Sequence, residues 1–450
     1  MRCVKRWSIH CALAAVAAVG LGLWASPGRA QLAPWQQPPG SHAAVDPPGD
    51  TIVTTGTDAA TATPSSNPWT DEEDEQIGTV WGFRPGTLTG LVYDATHDRI
   101  WFRSEFLGWW TKGFTVPALL TTSPAGTPET EAGILGVAGT RVLLGDQDLQ
   151  GGFRPGERLT FGTWLGQTQT WGIEASYLQI AQQSDSYSFN GANVPILARP
   201  FFNAQSGQQD AEILNYPGAQ TGVFSAVATS ELQTAEVLLR KNLTRRDCLA
   251  IDFSAGYRYQ QLNDHLGVAD TLSFSGSAAA FPAGSIVNQQ DLLATRNVFN
   301  GGEAGLTASL QRDRWSLETV VKVAIGETSS IVSMYGATTT SIPGQATTTQ
   351  SGGLLVLPTN TGVFDSQRLS LVSELELTLG WNFTPQLRGT VGYDLLHWPG
   401  VARPGDQIDP NLDPRQFPPS VSSTAARPEF VLHTSDYWAQ GVNLGLDLRF

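Results

Sequence analysis

Cysteine is almost missing from this chain: three residues in 450, at Cys3, Cys11 and Cys248. Basic residues are scarce as well, with 27 lysines and arginines against 41 aspartates and glutamates. So acidic a chain repels a nucleic-acid backbone, and nucleic acid is not an expected partner. Beyond the N-terminus no apolar run approaches the ~18 residues of a membrane-crossing helix, which argues against a helical membrane protein. The GxSxG, HExxH and phosphate-loop patterns are also absent, and with them the sequence signatures of serine hydrolases, zinc peptidases and P-loop enzymes.

What is present begins with a targeting segment over residues 1–30. Arg2, Lys5 and Arg6 supply a positive start, Cys11 to Ala25 an apolar stretch, and Gly28-Arg29-Ala30 a small-residue cleavage site before Gln31. Removal of that segment leaves 23 basic against 41 acidic residues, a formal charge of −18. It also leaves Cys248 alone, which excludes an intramolecular disulfide and a cysteine metal cluster. Residues 31–75 are rich in Pro, Ala and Thr and end in Asp71-Glu72-Glu73-Asp74-Glu75, a composition expected of a disordered periplasmic tail. Residues 76–99 are mixed and read as a lead-in, an extra strand or a plug.

From residue 100 the chain alternates. Counting back from the end, Phe450, Leu448, Leu446, Leu444 and Val442 share one face, while Arg449, Asp447, Gly445 and Asn443 share the other. That period of two marks a strand with one side in an apolar medium and one in water. Nine more segments behave alike, beginning near Ile100, Arg158, Trp171, Glu231, Cys248, Asn300, Arg314, Arg368 and Gln386. Short links (167–170, 243–247, 312–313, 384–385) alternate with long ones (112–157, 181–230, 261–299, 327–367, 399–436). Short periplasmic turns and long extracellular loops are the habit of outer-membrane barrels. The fold expected is therefore an all-β, antiparallel up-and-down transmembrane barrel of about ten strands, within a range of eight to fourteen, over residues 100–450.

Aromatics fit two interfacial belts in that topology. Trp101, Trp171, Trp315 and Trp381 fall at periplasmic strand ends. Trp109, Trp110, Tyr257, Tyr259, Trp398 and Trp438 fall at outer ends. The terminal Phe450 resembles the signal by which the barrel assembly machinery recognises its clients, so that machinery and the outer-membrane bilayer are expected partners.

Residues 100–178 resemble the opening of a family of bacterial outer-membrane barrel porins, the barrel porin family numbered seven. The stretches that carry the resemblance are Trp101-Phe102-Arg103-Ser104-Glu105-Phe106-Leu107, Trp109-Trp110-Thr111-Lys112-Gly113, Pro117 to Pro124, Gly133-Ile134-Leu135-Gly136, and Gly172-Ile173-Glu174-Ala175-Ser176-Tyr177. The resemblance implies a fold and a location, the outer membrane, but no substrate and no catalytic residues.

Parity assigns the water-facing positions: Arg103, Glu105, Glu174, Glu236, Arg240, Asp252, Arg258, Glu303, Glu318, Lys322, Glu374, Glu376, Arg388, Asp394, Asp447 and Arg449. They would line a small pore whose acidic excess favours cations, or pair with one another and fill a narrow lumen. The leading expectation is a porin passing small solutes or ions, with a closed structural or adhesive barrel presenting long loops as the alternative. A rim hydrolase built on Asp264-His265, His397, His433 and Asp436 is the third and weakest; no enzyme, no cofactor and no metal is expected. The oxygen-rich loops Asp146-Gln147-Asp148 and Asp406 to Asp413 read as solvated turns, and Gly336–Gly353 as a flexible surface loop.

Overall fold

Ten antiparallel strands close on themselves in chain order. The structure is a computed structural model; it describes residues 99–450 apart from 167, 193, 247, 277–280 and 419–425. The expected signal peptide, the acidic tail and the lead-in up to residue 98 lie outside the described residues. The barrel strands are β1 (Ile100–Thr111), β2 (Gly152–Leu165), β3 (Trp171–Asn190), β4 (Gln220–Arg246), β5 (Leu249–Phe274), β6 (Ile286–Arg312), β7 (Trp315–Ser341), β8 (Gly362–Asn382), β9 (Leu387–Val401) and β10 (Ser435–Arg449). Each pairs with its neighbours in sequence, and β1 pairs with β10 over Trp101–Thr111 and Ala439–Arg449. Arg99 and Ile100 donate backbone N–H groups to the Phe450 carbonyl at 2.5 and 2.9 Å, so the terminal residue locks the seam. Closure leaves no unpaired edge at membrane depth, as an apolar bilayer requires.

The lower turns are tight. Asp313 takes a left-handed φ of 56° in the two-residue link between β6 and β7, a conformation that Asp tolerates. Between β8 and β9, Thr384 Oγ1 accepts the N–H groups of Gln386 and Leu387 at 3.2 and 2.9 Å and closes the turn.

Strand length is where the structure departs from expectation. Strands β4 to β7 run for 26 or 27 residues, whereas roughly 9–11 tilted residues cross a hydrocarbon core. Large parts of the segments expected as loops at 181–230, 261–299 and 327–367 are upper strand. The true upper connections are 112–151, 191–219, 275–285, 342–361 and 402–434. The Gly336–Gly353 stretch is also partly strand: Thr348–Ser351 folds back onto Ala337–Thr340.

The upper strands went unrecognised because their pattern inverts. In the lower part of β5, Phe253 and Tyr257 are exposed outward while Asp252, Ser254 and Arg258 are buried inside. Above Tyr259 the same two faces exchange character. Leu262, Leu266, Val268 and Leu272 point inward and are buried, and Gln261, Asn263, His265 and Thr271 point outward. Strand β4 does the same, with Phe224, Ala226, Ala228 and Leu232 inside. Below the changeover lipid bathes the outside; above it water does, and the inside becomes a protein core.

That core is completed by the loops. Strand β3 pairs with β2 only up to Ile180, and β8 with β9 only from Ser373, so β3 to β8 rise as an open curved sheet. A smaller sheet covers it, made of Leu120–Thr122, Arg141–Leu144, Leu197–Asn203, Gln208–Asn215 and Asn411–Leu412. Phe114, Leu119, Leu120, Leu144, Leu197 and Leu214 from the connections pack with Phe224, Leu266, Leu293, Val332 and Met334 of the wall.

Candidate functional site

Every lumen position assigned by parity faces inward, and the side chains form three layers. The lowest is aromatic. Trp101 Nε1 donates to Glu174 Oε2 at 3.2 Å, its ring lies 5.6 Å from Trp164, and the Arg240 guanidinium sits 5.4 Å above it. Trp101 is thus inside the barrel and not in a belt.

The second layer is ionic and crosses the lumen. Arg158 of β2 pairs with Asp394 of β9, reaches Glu376 of β8 at 2.7 Å, and lies 3.6 Å from Glu105 of β1. Arg258 of β5 pairs with Glu236 of β4 and Glu374 of β8, and lies 3.1 Å from Glu303 of β6. Lys322 of β7 joins Glu236 at 2.9 Å to Glu376 at 3.1 Å. Nearer the periplasmic end, Arg103 meets Glu318 at 2.9 Å and Asp447 at 3.5 Å, Arg240 joins Glu174 to Asp252, and Arg388 and Arg449 share Asp447. Arg258 is 1% exposed and Asp394 0%. Water reaches this lattice poorly, and ion pairs hold it together. Ten carboxylates meet seven cations among the residues named, so the acidic excess expected from sequence is retained. Arg158 is the member that sequence reasoning missed. It opens its alternating segment, and parity with Thr160 and Gly162 already put it inside.

The third layer is apolar. All strands but β2 contribute to one buried cluster: Leu107 and Trp109, Leu178 and Ile180, Leu232, Leu262, Phe299, Ala324, Val372, Leu396 and Trp398, Tyr437 and Ala439. Trp109 and Trp398, both expected in the outer belt, are fully buried here. Trp398 Nε1 donates to Thr328 Oγ1 at 3.1 Å and its ring meets Phe299 edge-on; Trp109 lies 6.0 Å from the Arg158 guanidinium. Their height along the strand was foreseen and their facing was not: each shares parity with a lumen charge. Trp110, Trp171, Tyr257 and Trp315 are exposed on the outer surface, Tyr259, Trp381 and Trp438 lie on the same face, and Trp315 and Trp381 meet edge-on at 4.5 Å.

Above this layer, Arg403 from the last upper connection is held in the lumen by Asp264 at 2.6 Å, between the rings of Phe114 and Tyr437. Burial pushes the Asp270 carboxyl, higher in the crown, up to about 8.

The rim residues considered for catalysis do not converge. Asp264 points inward to Arg403, while His265 is on the outer face, where burial lowers its pKa. His397 Nε2 lies 3.9 Å from Asp436 Oδ2, beyond hydrogen-bond reach. In the oxygen-rich loop, Asp409 accepts from Asn411, Arg427 and the Glu429 N–H, and Asp413 from Arg415. Asp148 accepts from Thr115 Oγ1 at 2.6 Å.

A family model described as "Putative beta barrel porin-7" matches residues 101–450. No curated protein matches the chain. Among solved structures, the outer membrane protease OmpT of Escherichia coli is similar at 10% identity and a TM-score of 0.37, covering 79% of this chain and 98% of that one. The toluene transporter TodX of P. putida is similar at 9% identity and a TM-score of 0.23, covering 79% and 91%. A FadL homologue of Pseudomonas aeruginosa gives 9% and 0.21, covering 78% and 90%. Likeness this distant assigns neither substrate nor chemistry.

Proposed function

From the premise that this chain belongs to the beta barrel porin-7 family, we propose an outer-membrane barrel that is shut at rest and that anchors a folded cap at the cell surface. The observation that carries this is the apolar layer at Leu232, Leu262, Phe299 and Trp398, which lies across the lumen above the ionic lattice. Water-filled pores are lined by solvated charges; here the charges are buried against one another and roofed by hydrocarbon. In this reading the lattice is a core, and neither a metal nor a cofactor takes part in holding it. The reading carries no catalytic step. It includes export through the N-terminal signal segment, cleavage before Gln31, and capture by the barrel assembly machinery through Phe450.

Conductance of the refolded mature chain in a planar bilayer tests it. A correctly folded, heat-modifiable barrel should be silent. Stable steps proportional to salt would sink the closed reading and favour the second one, a porin or small-solute channel. One observation speaks for that second reading: the lumen keeps more carboxylates than cations, as a cation-preferring lining would.

A further inference from the structure

The crown holds a second set of buried charges, separate from the lumen lattice. In the hairpin of Leu197–Asn203 and Gln208–Asn215, Arg199 and Glu212 are direct cross-strand partners. On the barrel wall, Asp270 of β5 and Gln289 of β6 are direct partners as well. Cross-strand partners project to the same side with Cβ atoms about 5 Å apart. The two pairs dock face to face. Arg199 Nη1 donates to Asp270 Oδ2 at 2.9 Å, and Gln289 Nε2 donates to Glu212 Oε1 at 2.8 Å. Arg199 Nη2 also donates to Asp291 Oδ2 at 2.9 Å. Asp291 is otherwise occupied by the backbone N–H groups of Leu354, Leu355 and Val356.

Three oxygen atoms of this square are left over. Asp270 Oδ1, Glu212 Oε2 and Gln289 Oε1 are buried and have no hydrogen-bond partner. Asp270 is 3% exposed and Gln289 6%. With all three carboxyls ionised the charges do not balance either: Asp270, Asp291 and Glu212 share one guanidinium. Buried acceptors without donors and buried charge without compensation are both costly. Two carboxylates and an amide carbonyl are the ligands that hard cations prefer.

We propose that Asp270, Glu212 and Gln289 bind a divalent, oxygen-preferring cation of the calcium class. Its two positive charges close the balance of the cluster, and its coordination occupies all three orphaned oxygens, with solvent completing the shell. Because Glu212 belongs to the hairpin and Asp270 and Gln289 to the wall, the ion clamps the cap onto β5 and β6.

The test uses the refolded full chain in detergent, stripped with chelator and titrated by calorimetry with calcium chloride and, separately, magnesium chloride. One saturable site per chain is expected for calcium, with slower hydrogen exchange over 197–215 when it is filled. Glu212→Gln keeps an acceptor for Gln289 but loses a charge. It should weaken binding by about ten-fold or more, since affinity follows ligand charge, while the ion-free hairpin keeps its protection. Asp270→Asn should do the same. No saturable heat with either ion, or unchanged affinity in both variants, would overturn the proposal.

Discussion

Replacing Arg258 by methionine separates a buried ionic core from a solvated pore lining. Methionine keeps much of the side-chain volume, so the change removes charge more than packing. Arg258 serves Glu236, Glu374 and Glu303 at once. After its loss, Glu236 still has Lys322 at 2.9 Å and Glu374 has Arg158 at 3.9 Å, but among the described residues Glu303 has no other ion-pair partner. Breaking a buried pair by removing one side costs about 3–5 kcal/mol, because the remaining charge stays buried. In a water-filled lumen the same pair is worth only about 0–1 kcal/mol. Urea unfolding of the barrel from lipid vesicles should therefore show a loss of at least about 3 kcal/mol for Arg258→Met. Adding Glu303→Gln should recover a large part of it, since the two changes share one network and are not additive. A loss below about 1 kcal/mol, with no rescue, would refute the sealed lattice and return these residues to solvent.

Two further expectations concern the tryptophans. Trp398→Ala should destabilise by about 3–5 kcal/mol in the same unfolding assay, the usual cost of emptying a packed aromatic site; a cost under about 1 kcal/mol would put the ring at the lipid surface. Brominated lipids should quench the outward rings and spare the inward ones. Trp110→Phe should then reduce the quenchable fluorescence, whereas Trp109→Phe should leave it unchanged, and the reverse outcome would invert the facing of β1.

The facing of the lumen charges was legible because period-two alternation is a strong signal wherever one face meets lipid. Ile251 to Tyr259 and Trp315 to Ile325 carry it without interruption. Trp101, Trp109 and Trp398 stand at belt height, but parity turns them inward; Trp101 is two residues from Arg103 and shares its face. The cation square could not be read from sequence at all. Arg199 and Glu212 sit in a connection, and their meeting with Asp270 and Gln289 depends on how that connection folds back over the sheet. The upper strands escaped for a different reason. Their apolar residues shift from one parity to the other without an inserted residue in β5, so alternation that continues looks like alternation that stops.

That shift also explains the height at which the apolar layer crosses the lumen. On β5 the last outward aromatic is Tyr259 and the first inward apolar residue is Leu262; on β6 Val298 faces out beside inward Phe299. Where lipid ends outside, an apolar interior begins inside, so β4, β5 and β6 keep one face out of water on both sides of the changeover. The lowest level of that interior is the layer of Leu232, Leu262, Phe299 and Trp398. It supports the curved sheet of β3 to β8, which above the membrane has no lipid to lean on. A conducting state would have to part those four side chains together. At about 1.5–3 kcal/mol for each large buried side chain, that costs roughly 6–12 kcal/mol, leaving fewer than about one molecule in ten thousand open at rest. A channel built on this chain would therefore need a ligand or partner that binds the open form more tightly by at least that much, whereas an anchor for a surface cap needs nothing further.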